Sequence, residues 1–189
     1  MLEAVFTDQH FHLVVECKGG SRKAQYELYK LYSKAMFNVS LRILNDQDEA
    51  ADVLQEAFID AFARIGDFRQ ETTFGLWLKQ IVINKSISQL RKRKLNLVST
   101  EDVDITEIPD DQQCTDMEEI EFQVKRVKEA IHQLPDGYRV VLSLYLLEGY
   151  DHEEISHILK ITENTSRTQF MRAKRKLLDI LKKQGIHHN

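Results

Sequence analysis

The sequence predicts an all-α chain, with two small helical domains joined by a flexible acidic linker. Three observations carry that reading. Only 7 Gly and 2 Pro among 189 residues leave long stretches without helix breakers. Apolar residues recur at helical spacing, and few runs alternate as strands do. The charges are also segregated along the chain. Residues 85–94 hold Lys85, Arg91, Lys92, Arg93 and Lys94 without an acid, and residues 95–124 hold acids without a Lys or Arg. Residues 165–183 hold seven basic side chains against Asp179 alone. The net charge of −4 therefore hides a basic, acidic, basic pattern.

The first domain is expected over 1–94. Ser21 suits an N-cap, followed by Ala24, Leu28, Leu31, Ala35 and Val39 at helical spacing. Asn45 and Asp46 interrupt the pattern. The next helix, about 47–65, carries a stripe of Val53, Leu54, Ala57, Phe58, Ala61, Phe62 and Ile65, and Gly66 suits a left-handed C-terminal position. A polar loop, Arg69 to Thr73, precedes a third long helix running to about Arg93, with Thr72 or Thr73 as its cap.

Residues 95–120 are expected as linker, because Thr, acids and Pro109 displace the helical period. As a coil this segment spans on the order of 28 Å, and about 90 Å fully extended. The second domain is expected over 121–184. Phe122, Val127, Ala130, Ile131 and Leu134 form one helix, stopped near Pro135. Val140–Leu147 is almost continuously apolar, as in a helix buried on most sides, and Gly149 closes it. Asp151 and Glu154 have capping-box spacing, with Tyr150 and Ile155 spaced as a hydrophobic staple. That short helix ends near Lys160, and Thr162 caps a final basic helix. Two short-linked helices of which the second is basic form a helix-turn-helix signal.

Composition narrows the function. Hydrophobic residues make up 42% and charged residues 30%, enough for packed cores. No apolar run nears the roughly 20 residues that span a bilayer, and Leu13-Val14-Val15 is too short for a signal peptide. Cys17 and Cys114 are too few for a disulfide framework or a zinc site. A cytoplasmic protein is expected. His152 and His157 are five apart, not the four a zinc-protease helix needs. No catalytic constellation, metal site or cofactor motif is found.

Three groups of residues can bind. Asp52 and Glu56, four apart with Gln55 and Glu49 nearby, lie opposite the apolar stripe of their helix. They form a solvated face, a docking patch for a basic partner helix, or a carboxylate metal site, though no Glu-x-x-His pair supports the last. Phe68, Phe74 and Trp77 bracket the polar loop, with Asn84, Lys85 and Arg91 beyond. Aromatics beside cations suit single-stranded DNA, where bases stack on rings and cations follow phosphates. A carboxamide such as Asn84 can read a base edge. The alternatives are aromatics in the core and an asparagine in solvent. On the last helix, Thr165, Arg167, Thr168, Gln169, Arg172 and Lys174 suit major-groove reading and phosphate contact, or else an amphipathic surface helix.

Four stretches together resemble the extracytoplasmic-function sigma factors, the smallest bacterial sigma factors. Lys18-Gly19 with Ala24 and Leu28-Tyr29 through Tyr32 is similar to the opening helix of the family's region two. Asp48-Glu49-Ala50 through Phe58 resembles its polymerase-binding helix. Phe68-Arg69 through Phe74, Trp77-Leu78, Ile81 and Asn84 to Leu90-Arg91 resembles its promoter-melting segment. Leu134-Pro135, Tyr138-Arg139, Gly149 through Ile155 and Thr165 through Ala173 resemble region four. The resemblance implies that Asp52, Gln55 and Glu56 dock on the coiled coil of the β′ subunit of core RNA polymerase, and that the β subunit is contacted too. It implies that the third helix and its loop, with Phe68, Phe74, Trp77, Asn84, Lys85 and Arg91, open the minus-ten element. The helix-turn-helix would read the minus-thirty-five element, and the acidic linker would run towards the RNA exit path. An anti-sigma factor is expected as a further partner, and no cofactor. Lys79 and Gln80 stand where the family often has an aromatic and an arginine. Ser166 replaces a usual apolar residue, Gln169 a common basic one, and Lys160 a usual Gly or small residue. Promoter sequence therefore does not transfer from relatives. The other reading is a free-standing helix-turn-helix regulator, and a third is a carboxylate-rich helical enzyme.

Overall fold

The computed structural model describes residues 9–96 and 116–183, among which the chain is helical without a strand. The chain divides into two compact units between Lys92 and Arg93.

The first unit opens with α1 (Phe11–Lys18), a helix the sequence did not announce. It is short, His10 at its start offers no side-chain cap, and only Val14 and Cys17 are buried. Gly20, with φ +84°, turns the chain into α2 (Arg22–Leu44), where Ser21 accepts from the Ala24 amide at 3.2 Å. Asn45 ends α2 in the left-handed region at φ 56°. Asp46 caps α3 (Gln47–Ala63) by accepting from the Glu49 amide at 2.9 Å. Both punctuation residues are therefore used, one for its tolerance of positive φ and one for its carboxylate.

Gly66 does not take the left-handed position expected of it. The chain leaves α3 through Arg64 and continues as a 3-10 turn, Ile65–Asp67, so the end carbonyls are met by tighter turns instead. Thr73 accepts from the Leu76 amide at 3.3 Å and so caps α4 (Phe74–Asn96). The core gathers Leu28, Val39, Ile43 and Leu44 of α2, Ala50, Val53, Ala57 and Ala61 of α3, and Phe74, Leu78, Val82 and Ile83 of α4. Where α2 meets α4, buried Ser40 and Ser86 lie 3.0 Å apart. Ser86 Oγ is placed to donate to Ser40 Oγ and to the Val82 carbonyl at 2.8 Å, and its one proton serves these two acceptors in turn.

The second unit holds α5 (Asp116–His132), α6 (Asp136–Leu146), α7 (His152–Leu159) and α8 (Glu163–Lys183). The helices α4 and α5 intrude on both ends of the linker expected over 95–120. Residues 97–115, Cys114 included, lie outside the described residues, as does the side chain of Phe122. Ile131, Leu134, Leu142 and Ala173 form the core, with Val127, Tyr138, Phe170, Leu177 and Ile180 packed against it. Among the described residues Arg139 is the largest buried side chain, only 2% exposed. It donates to the Leu134 carbonyl at 2.9 Å and to Asp136 at 2.6 Å, tying the α5–α6 turn to α6.

The expectation of a helix buried to Leu147 holds only as far as Leu144. Tyr145, Leu146 and Leu147 are exposed because α6 ends there and the core no longer covers its last turn. Gly149 takes φ +81°, and the Asp151–Glu154 capping box forms in both directions at 2.8 and 2.9 Å. Lys160 ends α7 in the left-handed region at φ 54°, and Thr162 accepts from the Thr165 amide at 3.1 Å to start α8.

Candidate protein-docking and nucleic-acid interfaces

The helix α3 turns its apolar stripe inward, which leaves Asp48, Asp52, Gln55 and Glu56 exposed on the opposite side. On the same side stands Ile59, 68% exposed, which the sequence reading assigned to nothing. A carboxylate face with an apolar tip suits a basic amphipathic partner helix, since charge steers the approach and the isoleucine gains by burial. The signal was available in the sequence: Ile59 falls seven residues after Asp52, hence on the same face.

A second row of α3, Glu49, Glu56 and Asp60, faces α4. Gln89 Nε2 lies 3.4 Å from Glu49, and Lys85 Nζ lies 2.8 Å from Asp60 and 3.4 Å from Glu56. The bond to Asp60 is the main reason that the Lys85 ammonium is held above the ordinary lysine pKa, against an opposing effect of burial. Lys85, expected as a minus-ten DNA contact, is clasped by two carboxylates of α3.

The aromatics divide as well. Phe74 is fully buried and Phe68 is 3% exposed, so neither offers a face to a base. Both serve as walls around Trp77, with ring centroids 5.8 and 5.4 Å from its own. The loop carrying Phe68 is pinned from α1, where Lys18 Nζ donates to the Phe68 carbonyl at 2.7 Å. Trp77 is half-buried, and Asn84 and Arg91 are exposed. These three are seven apart, so they lie along one stripe of α4 with about 10.5 Å between successive residues. That row of an aromatic, a carboxamide and a guanidinium can hold an unpaired base, read its edge and contact a phosphate.

In the second unit α8 packs through Ser166, Ala173 and Leu181. Opposite them stand Asn164, Thr168, Met171, Arg172 and Arg175, all exposed. Thr165 and Gln169 lie on one flank, partly buried, and Arg167 and Lys174 on the other. Arg167 is paired with Glu163 one turn earlier, and Lys174 Nζ sits 5.7 Å from the Phe170 ring centroid. The six residues expected here thus wrap about half of the helix. Asn164, Met171 (65% exposed) and Arg175 were missing from that set although they stand at its centre. A helix of this kind presents base-reading groups at its middle and phosphate contacts on its flanks.

The angle between α7 and α8 is fixed by an aromatic and polar joint. His152 stacks on Tyr145 at 4.6 Å and meets the Phe170 ring edge-on at 5.5 Å. Its Nδ1 lies 2.9 Å from the hydroxyl of buried Ser166. The serine found where the family favours an apolar residue is thereby satisfied by a histidine of the preceding helix.

Residues 28–95 match the family described as Sigma-70 region 2, and residues 125–177 match Sigma-70, region 4. The chain is 31% identical over 177 residues to the RNA polymerase sigma-H factor of Pseudomonas aeruginosa, spanning 88% of this chain and 91% of that one. The chain belongs to the sigma-70 family. Within it, the extracytoplasmic-function sigma factor SigW of Bacillus subtilis is 28% identical over 172 residues, 87% of this chain and 92% of SigW. Among solved structures, the sigma factor RpoE of Bartonella quintana, in complex with the anti-sigma factor NepR, shares the fold. Its TM-score is 0.54 at 23% identity, over 83% of this chain and 96% of that one. This sigma factor is accordingly an extracytoplasmic-function member and a non-catalytic transcription initiation factor, and a free-standing regulator is disfavoured by the match to both regions. Among the described residues no helix is long and apolar enough to cross a membrane.

Proposed function

We propose that this sigma factor docks on core RNA polymerase through Asp52, Gln55 and Glu56 and directs it to promoters in the cytoplasm. The β′ coiled coil is the partner for α3, and the β subunit is contacted as well. The stripe of Trp77, Asn84 and Arg91 captures an unpaired base of the minus-ten element, with Phe68 and Phe74 acting behind Trp77. The helix-turn-helix of α7 and α8 reads the minus-thirty-five duplex with Thr165, Thr168, Gln169 and Arg172, while Arg167 and Lys174 reach phosphates. An anti-sigma factor is a further proposed partner. First-unit and second-unit roles follow the division expected from the sequence, 1–94 and 121–184, with the acidic segment between them lying towards the RNA exit path.

The observation that carries the reading is the carboxylate face of α3, exposed on one side and backed by a close-packed apolar stripe on the other. It is tested by binding of the labelled sigma factor to purified core polymerase beside an Asp52→Lys/Glu56→Lys variant. Tight one-to-one binding by the parent and its loss in the variant is expected. Equal binding by both refutes docking through α3. For the anti-sigma factor, full transcriptional activity in cells without any inhibitory partner or inducing signal would sink the proposal.

A further inference from the structure

The clasp on Lys85 joins two surfaces that the proposed function treats as separate. Glu56 belongs to the polymerase-docking face, and Lys85 follows Asn84 on the helix that carries the minus-ten stripe. Asp60 has no part in either surface, yet it makes the shorter contact, 2.8 Å against 3.4 Å for Glu56. Lys85 retains only 23% of its side-chain exposure, and two carboxylates already stand against its ammonium.

We infer that Asp60 is a positioning residue that withholds Lys85 from DNA in the free sigma factor, and that docking on polymerase releases it. The inference rests on the α3 docking reading. A basic partner helix on the outer face of α3 competes for Glu56 and repels the ammonium beside it. With Glu56 engaged and the partner's positive charge beside the half-exposed Asp60, both carboxylates of the clasp are drawn from the ammonium, and the four-carbon stem of lysine swings the charge towards the Asn84 side of α4. Promoter contact is then coupled to polymerase contact through a single side chain, with no movement of the helices required.

The test measures anisotropy of a short labelled single-stranded deoxyoligonucleotide of mixed sequence, at low salt, with the full chain and again with the chain bound to core polymerase. Breaking an exposed ion pair is worth up to about fivefold in affinity. Asp60→Asn is expected to bind the oligonucleotide up to about fivefold more tightly than the parent when free. Asp48→Asn removes the same charge from the outer end of α3 and is expected to gain less than about twofold. The Asp60→Asn/Lys85→Gln double variant is expected to lose the gain. On polymerase the parent and Asp60→Asn should differ by less than about twofold, because docking has already freed Lys85. Equal gains from Asp60→Asn and Asp48→Asn, or a gain that survives Lys85→Gln, overturn the clasp. A full difference persisting on polymerase overturns its release. If the parent does not bind core polymerase at all, the docking reading fails and the release fails with it, whereas the free-chain comparison still decides the clasp.

Discussion

Replacing Ser166 and His152 separately and together tests the joint that sets the helix-turn-helix. Ser166 is fully buried and its hydroxyl meets His152 Nδ1 at 2.9 Å. Ser166→Ala removes a hydrogen bond from a histidine that still reaches water, a loss of about 1 kcal/mol. His152→Phe keeps the stack on Tyr145 and the edge contact with Phe170, but strands the serine hydroxyl in the core, at about 1–3 kcal/mol. Together the two changes give an apolar pair of similar shape, expected within about 0.5 kcal/mol of the parent. The coupling between the sites is then about 2–4 kcal/mol. The chain offers a convenient way to see it, because its one tryptophan, Trp77, lies in the first unit. Urea unfolding followed by tryptophan emission reports that unit, and helical circular dichroism reports both. The single variants should shift the dichroism transition and leave the emission transition in place. A double variant destabilised by the sum of the singles, with coupling under about 0.3 kcal/mol, would refute the joint.

Other expectations follow from single residues. Lys160→Gly relieves the left-handed backbone at φ 54° and should raise the stability of the second unit by a few tenths to about 1 kcal/mol. A lowered dichroism midpoint would show that the lysine side chain matters more than its backbone. Leu78→Ala empties a fully buried site in the first unit and should cost about 2–5 kcal/mol, read by tryptophan emission. Burial, and secondarily the Arg139 charge, hold His132 below the ordinary histidine pKa of 6.5. Its stabilising contribution is therefore present above pH 6.5 and is lost as pH falls through the depressed value, because the unfolded chain takes up the proton first. His132→Gln should flatten the decline of the second unit's midpoint below that pH, and an unchanged slope would contradict it.

Local chemistry was the part of this fold most legible in the sequence. Ser21, Asp46, Thr73, Asp151 and Thr162 each accept from the amide three residues on, so the residue type and its offset suffice to place a helix start. Gly66 and the Leu146-Leu147 pair misled because their surroundings are decided by where a neighbouring element stops, which no short window contains. The same holds for the candidate sites. Asp52, Gln55, Asn84 and Thr168 could be assigned to exposed faces from helical period alone. Phe68, Phe74 and Trp77 form one sequence cluster, yet only packing against α1 and α2 decides which ring stays accessible. Lys85 was unreadable for a plainer reason: its carboxylates lie 25 and 29 positions upstream on another helix. The helix α1 escaped notice because it has few buried residues and no side-chain cap.

The Ser40–Ser86 contact has an evolutionary consequence. The two residues are 46 positions apart and share one buried hydrogen bond at 3.0 Å. Losing Ser86 alone takes the partner from the buried Ser40 hydroxyl, and a larger residue at either position crowds a close helix crossing, whereas exchanging both for alanine removes donor and acceptor together. Lineages of this sigma factor should therefore cross from one state to the other in paired steps. The pair would appear as a covarying couple linking the second and fourth helices, a signature left by packing and independent of any promoter the protein serves.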